Sequence, residues 1–211
     1  SFNKLGALSK SDKLEEASIP FATKRSGFVL GEGSAILILE DYEHALARKA
    51  HIYCEINGYG VTSDAKSLVA PDFEGILLCL DKAIKSAKLL PTDIEYINAH
   101  GTSTEANDRI ESKAIKIIFK DATKKPFVSS TKSLHGHLLG ATGALEALIC
   151  CIMIDNEVLF PQINMSEADV DKDIDLNLLL EKVVPYSGGS IMSNSFAFGG
   201  ANSSLIFSKM K

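Results

Sequence analysis

The sequence predicts an α/β protein in which helices cover a mostly parallel sheet. Short apolar runs typical of buried strands alternate with longer segments whose apolar residues recur at the helical period. One of these segments, residues 137–154, is apolar nearly all round, which predicts a central helix buried between sheets. Strands separated by helices of this length imply right-handed crossovers, and such crossovers favour parallel pairing.

The N-terminal part of the chain gives short elements. Residues 1–27 are polar and mixed, and they predict a loop. Residues 35–39, Ala-Ile-Leu-Ile-Leu, predict a strand that is buried on both faces, because every position in the run is apolar. A short charged helix is expected over residues 40–50, and alternating apolar positions predict a strand over residues 51–59.

Helices and strands alternate clearly from Asp72 onward. Asp72 is expected to cap the first helix of this region, and Pro91 to end it. The elements expected after Pro91 are a strand over 94–97, a helix over 105–119, a strand over 127–130, the buried helix over 137–154 and two strands over 191–195 and 203–207. In the helix over 105–119, the residues expected to face inward are Ile110, Ala114, Ile117 and Ile118.

The composition is that of an ordinary globular domain. The chain has 211 residues, of which 45% are hydrophobic and 23% charged. A net charge of −5 argues against nucleic acid or an anionic membrane surface as a partner. The longest apolar stretch, residues 144–154, is too short to cross a bilayer. Because no signal-peptide pattern opens the chain at Ser1, a cytoplasmic location is expected.

The cysteines predict core packing in a reducing compartment. They show neither metal-ligand nor CxxC spacing, and each lies in an apolar context. The four residues are Cys54, Cys79, Cys150 and Cys151.

Four segments place reactive or flexible residues where strands give way to loops or helices. They are 98–104 (Asn-Ala-His-Gly-Thr-Ser-Thr), 129–133 (Ser-Ser-Thr-Lys-Ser), 135–143 (His-Gly-His-Leu-Leu-Gly-Ala-Thr-Gly) and the turn 194–202 (Asn-Ser-Phe-Ala-Phe-Gly-Gly-Ala-Asn). Ligands of open α/β sheets bind outside the carboxyl ends of the strands, which is where these segments are expected to fall. The sequence therefore predicts a single site built from all four.

The same four segments look like the active-site signatures of the elongating β-ketoacyl-acyl-carrier-protein synthases, in the same order and at the same separations. The resemblance runs from Phe2 to Phe207. It implies a thiolase-like fold of two similar halves, each a βαβαβαββ unit. Residues 46–211 would be the C-terminal ketosynthase half, and residues 1–45 the tail of the N-terminal half.

The reaction implied by the resemblance is the decarboxylative condensation of a malonyl carrier protein with an acyl thioester. Loss of carbon dioxide leaves an enolate whose oxygen needs preorganised donors, and the imidazoles of His100 and His137 can supply them. Lys132 can keep a neighbouring imidazole neutral. Glu146, on the buried helix, needs a partner, and Lys132 is the obvious one.

The resemblance also suggests how the substrate is held. The hydroxyls of Thr102 and Thr104 suit a pantetheine amide, and the Phe198 backbone N–H would join an oxyanion hole while its ring gates acyl access. The implied partners are acyl carrier protein, its malonyl and acyl forms, the missing N-terminal half and a second copy in a homodimer. No resident cofactor is expected, because phosphopantetheine arrives on the carrier.

His135 is expected to be structural. Together with His137 it suggests a metal site, but a catalytic zinc site needs a third protein ligand and none is convincingly placed. We therefore expect no metal.

Two departures from the family pattern are visible. No cysteine lies in a strand-to-helix elbow that could supply the nucleophile, so the chain is expected to be a fragment that is inactive by itself. Ser67 and Val69 stand where histidine and threonine are usual, which leaves carrier handling and substrate choice open.

Three alternatives differ from the elongating synthases in defined residues. Thiolases place a cysteine in the last glycine-rich turn, which here has none, and initiating synthases usually pair one histidine with an asparagine. A non-catalytic subunit resembling a chain-length factor tends to lose the histidines and the lysine. This chain retains all three, and the altered Ser67 and Val69 keep that alternative open.

Overall fold

The computed structural model describes residues 2–210; Ser1 and Lys211, where the two predicted domains begin and end, lie outside them. The helices are α1 (Tyr42–Ala47), α2 (Phe73–Ser86), α3 (Glu105–Ile118), α4 (Lys132–His135) and α5 (Thr142–Asp155). The strands are β1 (Glu55–Ser63), β2 (Ile94–Asn98), β3 (Phe127–Ser129), β4 (Val158–Leu159), β5 (Val184–Pro185), β6 (Ser190–Phe196) and β7 (Ala201–Ser208). Single 3-10 turns cover Leu14–Glu16, Pro91–Asp93, Leu139–Ala141 and Glu167–Asp169.

The main sheet has five strands in the order β1-β7-β6-β2-β3. Its strands and long helices follow one another as β1-α2-β2-α3-β3-α5-β6-β7, which confirms the expected βαβαβαββ unit. Four of its five strands, all except β7, run in the same direction, which confirms the prediction of a mostly parallel sheet. β2 runs parallel to β3 and β6, whereas β7 runs antiparallel to β6 and β1. The reversal occurs at Gly199 and Gly200, whose φ values of +87° and +79° suit residues without a Cβ.

Helices pack on both faces of this sheet. On one face, α2 and α3 contribute Ile76, Leu80 and Ile115 to a core that also contains Ile97 and Met192 from the strands. The N-terminus of α2 is capped as predicted, because the Asp72 carboxylate accepts a hydrogen bond of 3.2 Å from Gly75 N–H. The opposite face of the sheet is covered by α5.

Helix α5 is the apolar central helix, although it begins five residues later than predicted. Cys150 and Met153 are fully buried against Tyr96 and Phe207 of the sheet. The backbone before it departs from the helix, because Gly136 and Leu139 have φ values of +71° and +54°. The other face of α5 remains half-buried, since within residues 2–210 the main sheet covers only one side.

The inward face of α3 differs from the prediction. Ile117 is exposed, whereas Asn107, Asp108 and Glu111 are buried. Asp108 accepts a hydrogen bond of 2.8 Å from the backbone N–H of Phe21, so the buried carboxylate has a local partner. Asp108, Glu111 and Ile115 thus lie on one buried face of α3, and this face differs from the one that the isoleucines predicted.

Residues 35–39 form no strand, and the prediction that this segment is buried on both faces was wrong. Ile36 is 83% and Ile38 79% exposed, and no strand among residues 2–210 forms a ladder with this segment. The next two elements are displaced from prediction: the charged helix is shortened to α1, and the following strand begins at Glu55.

The cysteines pack as predicted. All four are free; Cys79, Cys150 and Cys151 are buried and Cys54 is half-buried. Among residues 2–210, no helix combines the length and the apolar character that crossing a membrane requires.

We expect the isolated chain to self-associate through the exposed segment 35–39, because an unpaired apolar strand invites pairing with another chain. Light scattering should detect dimers or larger species. The double variant Ile36→Glu/Ile38→Glu should shift the chain toward monomer. Leu14→Glu is the matched control, because Leu14 is 89% exposed outside this segment. A monodisperse wild-type monomer would contradict the prediction.

Candidate active site

His100 lies two residues beyond the end of β2, in a loop that a buried carboxylate holds in place. Glu111 of α3 accepts hydrogen bonds from the backbone N–H of His100 at 2.9 Å and of Gly101 at 2.8 Å. Asn194 of β6 donates to the same carboxylate at 3.3 Å. A Cβ at Gly101 would come within 2.5 Å of the Ser130 side chain, so glycine permits the close approach of the two loops.

Glu111 was missing from the predicted site residues. The signal available in the sequence was its spacing, because Glu111 lies four positions after Asn107 and three before Ala114 on one helical face. An acid on an inward face needs a partner, and here the partners are backbone N–H groups of the His100 loop. Burial raises the pKa of Glu111, although these hydrogen bonds act in the opposite direction.

His137 is held between Gly136 and the 3-10 turn that precedes α5. Its backbone N–H donates to Val29 O at 2.7 Å. The ring Nδ1 accepts a hydrogen bond of 3.3 Å from Leu139 N–H and lies 2.9 Å from Thr142 Oγ1. Because a backbone N–H can only donate, Nδ1 carries no hydrogen in the neutral ring, and Nε2 carries it instead. His137 thus has an Nε2–H donor for a ligand.

The two imidazoles lie side by side in one cavity of about 500 Å³. Their ring centroids are 5.5 Å apart and their planes are nearly perpendicular, at 85°. Burial and the nearby Lys132 ammonium lower the pKa of His137 to about 3 and hold that of His100 well below its usual range. Both rings are therefore neutral near pH 7. The Nδ1 atom of His100 is buried without a hydrogen-bond partner among residues 2–210.

Lys132 and Glu146 form a buried ion pair behind the histidines, which confirms the predicted pairing. The Lys132 Nζ and Glu146 Oε1 atoms are 2.5 Å apart, and both side chains are almost fully buried. Burial raises the pKa of Glu146 to about 7, while the Lys132 ammonium acts to lower it. Neither residue lines the cavity, and the Lys132 charge acts on the two imidazoles from behind.

Phe198 lies on the turn between β6 and β7, at the mouth of the cavity. Its ring is half-exposed, and the ring centroid is 6.1 Å from that of Phe2. Within the described part of the chain, its backbone N–H donates to no protein acceptor. The adjacent Gly199 N–H donates to Leu68 O at 2.8 Å, and Gly200 O accepts from Asp64 N–H at 2.8 Å. The loop that contains Asp64 and Leu68 therefore supports this turn.

Thr102 and Thr104 lie beside His100 and also line the cavity. Their hydroxyl oxygens are 2.9 Å apart, and Thr104 caps α3 by accepting from Asn107 N–H at 3.3 Å. Five of the seven predicted site residues, counting His137 and Phe198, thus surround one cavity, and the other two form the ion pair behind it.

Three further residues were singled out in the sequence. Val69 lines the mouth of the cavity, whereas the Ser67 hydroxyl is used internally, accepting from Val69 N–H at 3.3 Å and Ala70 N–H at 3.1 Å. His135 points elsewhere: its Nε2 lies 3.1 Å from Thr131 Oγ1, which agrees with the structural role expected for it.

The arrangement suits the stabilisation of negative charge on a substrate oxygen. Two neutral imidazoles face the same cavity, and a buried ammonium disfavours their protonation. None of the chain's four thiols lines the cavity. A βαβαβαββ unit that presents paired histidines at the carboxyl ends of its strands defines the class: one half of a thiolase-like fold.

The family follows from comparison with known proteins. Residues 53–166 match the family described as "Beta-ketoacyl synthase, C-terminal domain". The chain belongs to the β-ketoacyl synthase family and corresponds to its C-terminal half.

Relatives of the chain are consistent in name and fold. It is 44% identical to 3-oxoacyl-[acyl-carrier-protein] synthase 2 of Staphylococcus aureus (strain COL), an alignment that covers 100% of this chain and 51% of the relative. A β-ketoacyl synthase from Burkholderia phymatum superposes with a TM-score of 0.92 at 40% identity, covering 100% of this chain and 51% of that one.

A third relative was solved as a complex. It is a type II PKS ketosynthase bound to the hexaketide and to its acyl-carrier protein; it has a TM-score of 0.93 at 36% identity and covers 100% and 52% of the two chains. The chain therefore spans about half the length of the relatives that it matches.

Glu146→Ala should destabilise the fold by about 3–5 kcal/mol, because it leaves the Lys132 ammonium buried without a counter-charge. The change in the free energy of unfolding is measured by urea denaturation, with circular dichroism as the probe. Asp81→Ala is the control, since it breaks an exposed pair with Lys85 and should cost less than about 1 kcal/mol. Equal losses of unfolding free energy in Glu146→Ala and Asp81→Ala would contradict the interpretation that Glu146→Ala leaves the Lys132 charge buried and uncompensated.

We also expect neither His100 nor His137 to titrate between pH 8 and pH 5, because burial and Lys132 lower both pKa values. The imidazole chemical shifts in NMR spectra, assigned with His100→Asn and His137→Asn, should stay constant over this range. Free histidine in the same sample titrates near pH 6.5 and serves as the internal control. A titration of either ring near pH 6.5 would overturn the neutral-pair interpretation.

Proposed function

We propose that the protein to which this chain belongs catalyses the decarboxylative Claisen condensation of a malonyl carrier protein with an acyl thioester, in fatty acid or polyketide-like synthesis. The observation that carries the proposal is the pair of neutral histidines, with ring centroids 5.5 Å apart, in front of the buried Lys132–Glu146 pair. Relatives that are 44% identical to this chain are named as 3-oxoacyl-[acyl-carrier-protein] synthases.

In the proposed reaction, the bond between the malonyl carboxylate and its α-carbon breaks. Carbon dioxide leaves, and the electron pair passes to the thioester oxygen as an enolate. The Nε2–H of His137 donates to that oxygen, and the ring of His100 supplies the second donor. The Lys132 ammonium keeps both rings neutral, so they donate hydrogen bonds without becoming imidazolium.

The enolate carbon then attacks the carbonyl of the waiting acyl group. A carbon–carbon bond forms, and the thiolate that carried the acyl group leaves. The Phe198 N–H, which has no protein acceptor among residues 2–210, is proposed to bind the carbonyl oxygen during this attack. The half-exposed Phe198 ring at the cavity mouth is proposed to gate the acyl chain.

The acyl-carrying thiol is proposed to come from outside this chain. None of the four cysteines lines the cavity, and the relatives are about twice as long as the chain. The N-terminal half would supply the nucleophile, so the chain by itself should not form an acyl-enzyme. A homodimer of the complete protein is part of the same proposal.

The carrier arm is proposed to enter beside Thr102 and Thr104, whose paired hydroxyls can bind a pantetheine amide. Acyl carrier protein is the proposed partner, and a relative with a TM-score of 0.93 was solved with its own acyl-carrier protein. A cytoplasmic location is also proposed, because four free thiols fit a reducing compartment.

A role as a non-catalytic chain-length-factor-like subunit is the second candidate. Val69 at the cavity mouth and Ser67, whose hydroxyl is used within its own turn, favour altered handling of the carrier arm. The retained His100, His137 and Lys132 favour the enzyme. The sequence that precedes this chain distinguishes the enzyme from the non-catalytic subunit. A cysteine at a strand-to-helix elbow can form an acyl-enzyme and would favour the enzyme, whereas a glutamine there cannot and would favour the subunit.

We expect His100→Ala and His137→Ala each to lower malonyl-carrier decarboxylation by the complete protein by at least about tenfold, because each removes a donor to the enolate oxygen. Release of labelled carbon dioxide measures the rate. His44→Ala is the control, since this exposed histidine pairs with Glu40 on the surface, away from the cavity. Unchanged carbon dioxide release in both active-site variants would refute the proposed roles.

A further inference from the structure

Gln162 is a fully buried polar side chain outside the cavity that contains the histidines. It lies in the irregular segment between β4 and β5. Its main chain is fixed by two hydrogen bonds: Gln162 N–H donates to Leu179 O at 3.0 Å, and Gln162 O accepts from Glu181 N–H at 3.2 Å. Residues of this chain alone bury the side chain, so the additional length of the relatives is not needed to cover it.

The carboxamide of Gln162 joins two segments that are far from it in the chain. Its Oε1 atom accepts a hydrogen bond of 3.2 Å from the backbone N–H of Ser130, which is 32 positions away. Its Nε2 atom donates to Pro20 O at 2.8 Å, which is 142 positions away. Because a backbone N–H can only donate and a carbonyl can only accept, these partners fix which end of the amide faces which segment.

Ser130 connects this amide to two parts of the candidate active site. Its hydroxyl donates to Gly101 O at 2.7 Å, in the loop that carries His100. Ser130 also lies two residues before Lys132, and its carbonyl accepts from Ser133 N–H at 3.3 Å in the turn that begins α4. Ser130 therefore links the His100 loop to the turn that carries the Lys132 ammonium.

Neighbouring contacts hold the same turn. Ile163 N–H donates to Ser133 Oγ at 3.1 Å, and Ser133 Oγ in turn donates to the Ser130 carbonyl at 3.0 Å. From the N-terminal segment, Ser18 Oγ donates to Lys132 O at 3.0 Å. The main chain around Lys132 is thus held by two segments, and the buried carboxamide joins these segments to each other.

We propose that Gln162 is a positioning residue for the decarboxylation, an inference that rests on the proposed function. Gln162 does not line the cavity; it acts through Ser130, whose place in the fold sets the position of the Lys132 ammonium relative to the ring of His100. A misplacement of about 1 Å can cost an enzyme roughly a hundredfold in rate. The carboxamide supplies this support without adding a second charge to the interior.

Gln162→Met tests the proposal in the complete protein, because methionine is a flexible side chain of similar length that has no amide. The Ser130 N–H then loses its acceptor inside the fold. We expect kcat for malonyl-carrier decarboxylation to fall by at least about tenfold. KM should stay unchanged, because the proposed binding groups, Thr102 and Thr104, keep the contact between their hydroxyls.

Hydrogen–deuterium exchange gives a second readout, which does not depend on the reaction. In Gln162→Met, the amides of residues 99–101 and 130–133 should exchange at least about tenfold faster than in the wild type, because a buried N–H without an acceptor favours local opening. No decarboxylation by the wild type would refute the proposed function, whereas the exchange rates would still decide whether Gln162 holds these two segments.

Glu95→Gln is the matched control. Glu95 is also buried, and its carboxylate accepts from the backbone N–H groups of Ser187 and Gly189, each at 2.8 Å, at the end of β2 away from the histidines. This variant should speed exchange at residues 187–189 while leaving both kcat and exchange at residues 130–133 unchanged. A fall in kcat as large as that in Gln162→Met would assign the effect to lost stability and overturn the proposal.

Gln162→Glu is the conservative variant, and it decides the proposal if Gln162→Met does not fold. A protonated carboxyl group offers the same donor and acceptor as a carboxamide, and burial raises the pKa of a carboxyl group. At about pH 5 this variant should match the wild type in exchange and in kcat, and at about pH 9, where its carboxylate would face Pro20 O, it should be impaired.

Two results would overturn the proposal. One is wild-type exchange at residues 130–133, or wild-type kcat, in a folded Gln162→Met protein. The other is a Gln162→Glu protein whose exchange and kcat, each relative to the wild type at the same pH, do not differ between the two pH values.

Discussion

The buried pair of Lys132 and Glu146 is the interaction on which the candidate site depends. A buried ammonium needs a counter-charge. Glu146, on the interior face of α5, provides it, with its Oε1 atom 2.5 Å from Lys132 Nζ. The same positive charge disfavours protonation of His100 and His137. Glu146 therefore compensates the buried charge of Lys132. The Lys132 charge in turn keeps both imidazoles neutral, and a neutral imidazole can still donate a hydrogen bond to an oxygen.

The site is supported from both helical layers of the fold. Glu146 comes from α5, on one face of the sheet, and Glu111 comes from α3, on the other. Glu111 binds the backbone of the His100 loop, so each layer contributes one buried carboxylate to the same end of the sheet. This double support explains why α3 turns polar residues inward: its first half packs on the site, and only its second half packs on the apolar core.

Much of the architecture was predictable from local pattern. The Asp72 cap, the fully buried strand β2 and the hairpin strands β6 and β7 follow from capping chemistry and apolar periodicity. The pairing of Lys132 with Glu146 was predictable as well, because a buried acid needs a partner. The start of α5, the face of α3 and the pairing of β1 with β7 were not predictable, since each depends on contacts between residues far apart in the chain.

The sequence by itself determined the order of elements, the four motif segments and the chemical identity of the site residues, because these depend on residue type and short-range periodicity. Tertiary structure alone decided which ring nitrogen of His137 carries its hydrogen and which carboxylate holds the His100 loop. These features depend on hydrogen bonds whose partners come together only on folding. Short-range sequence patterns do not specify such partners.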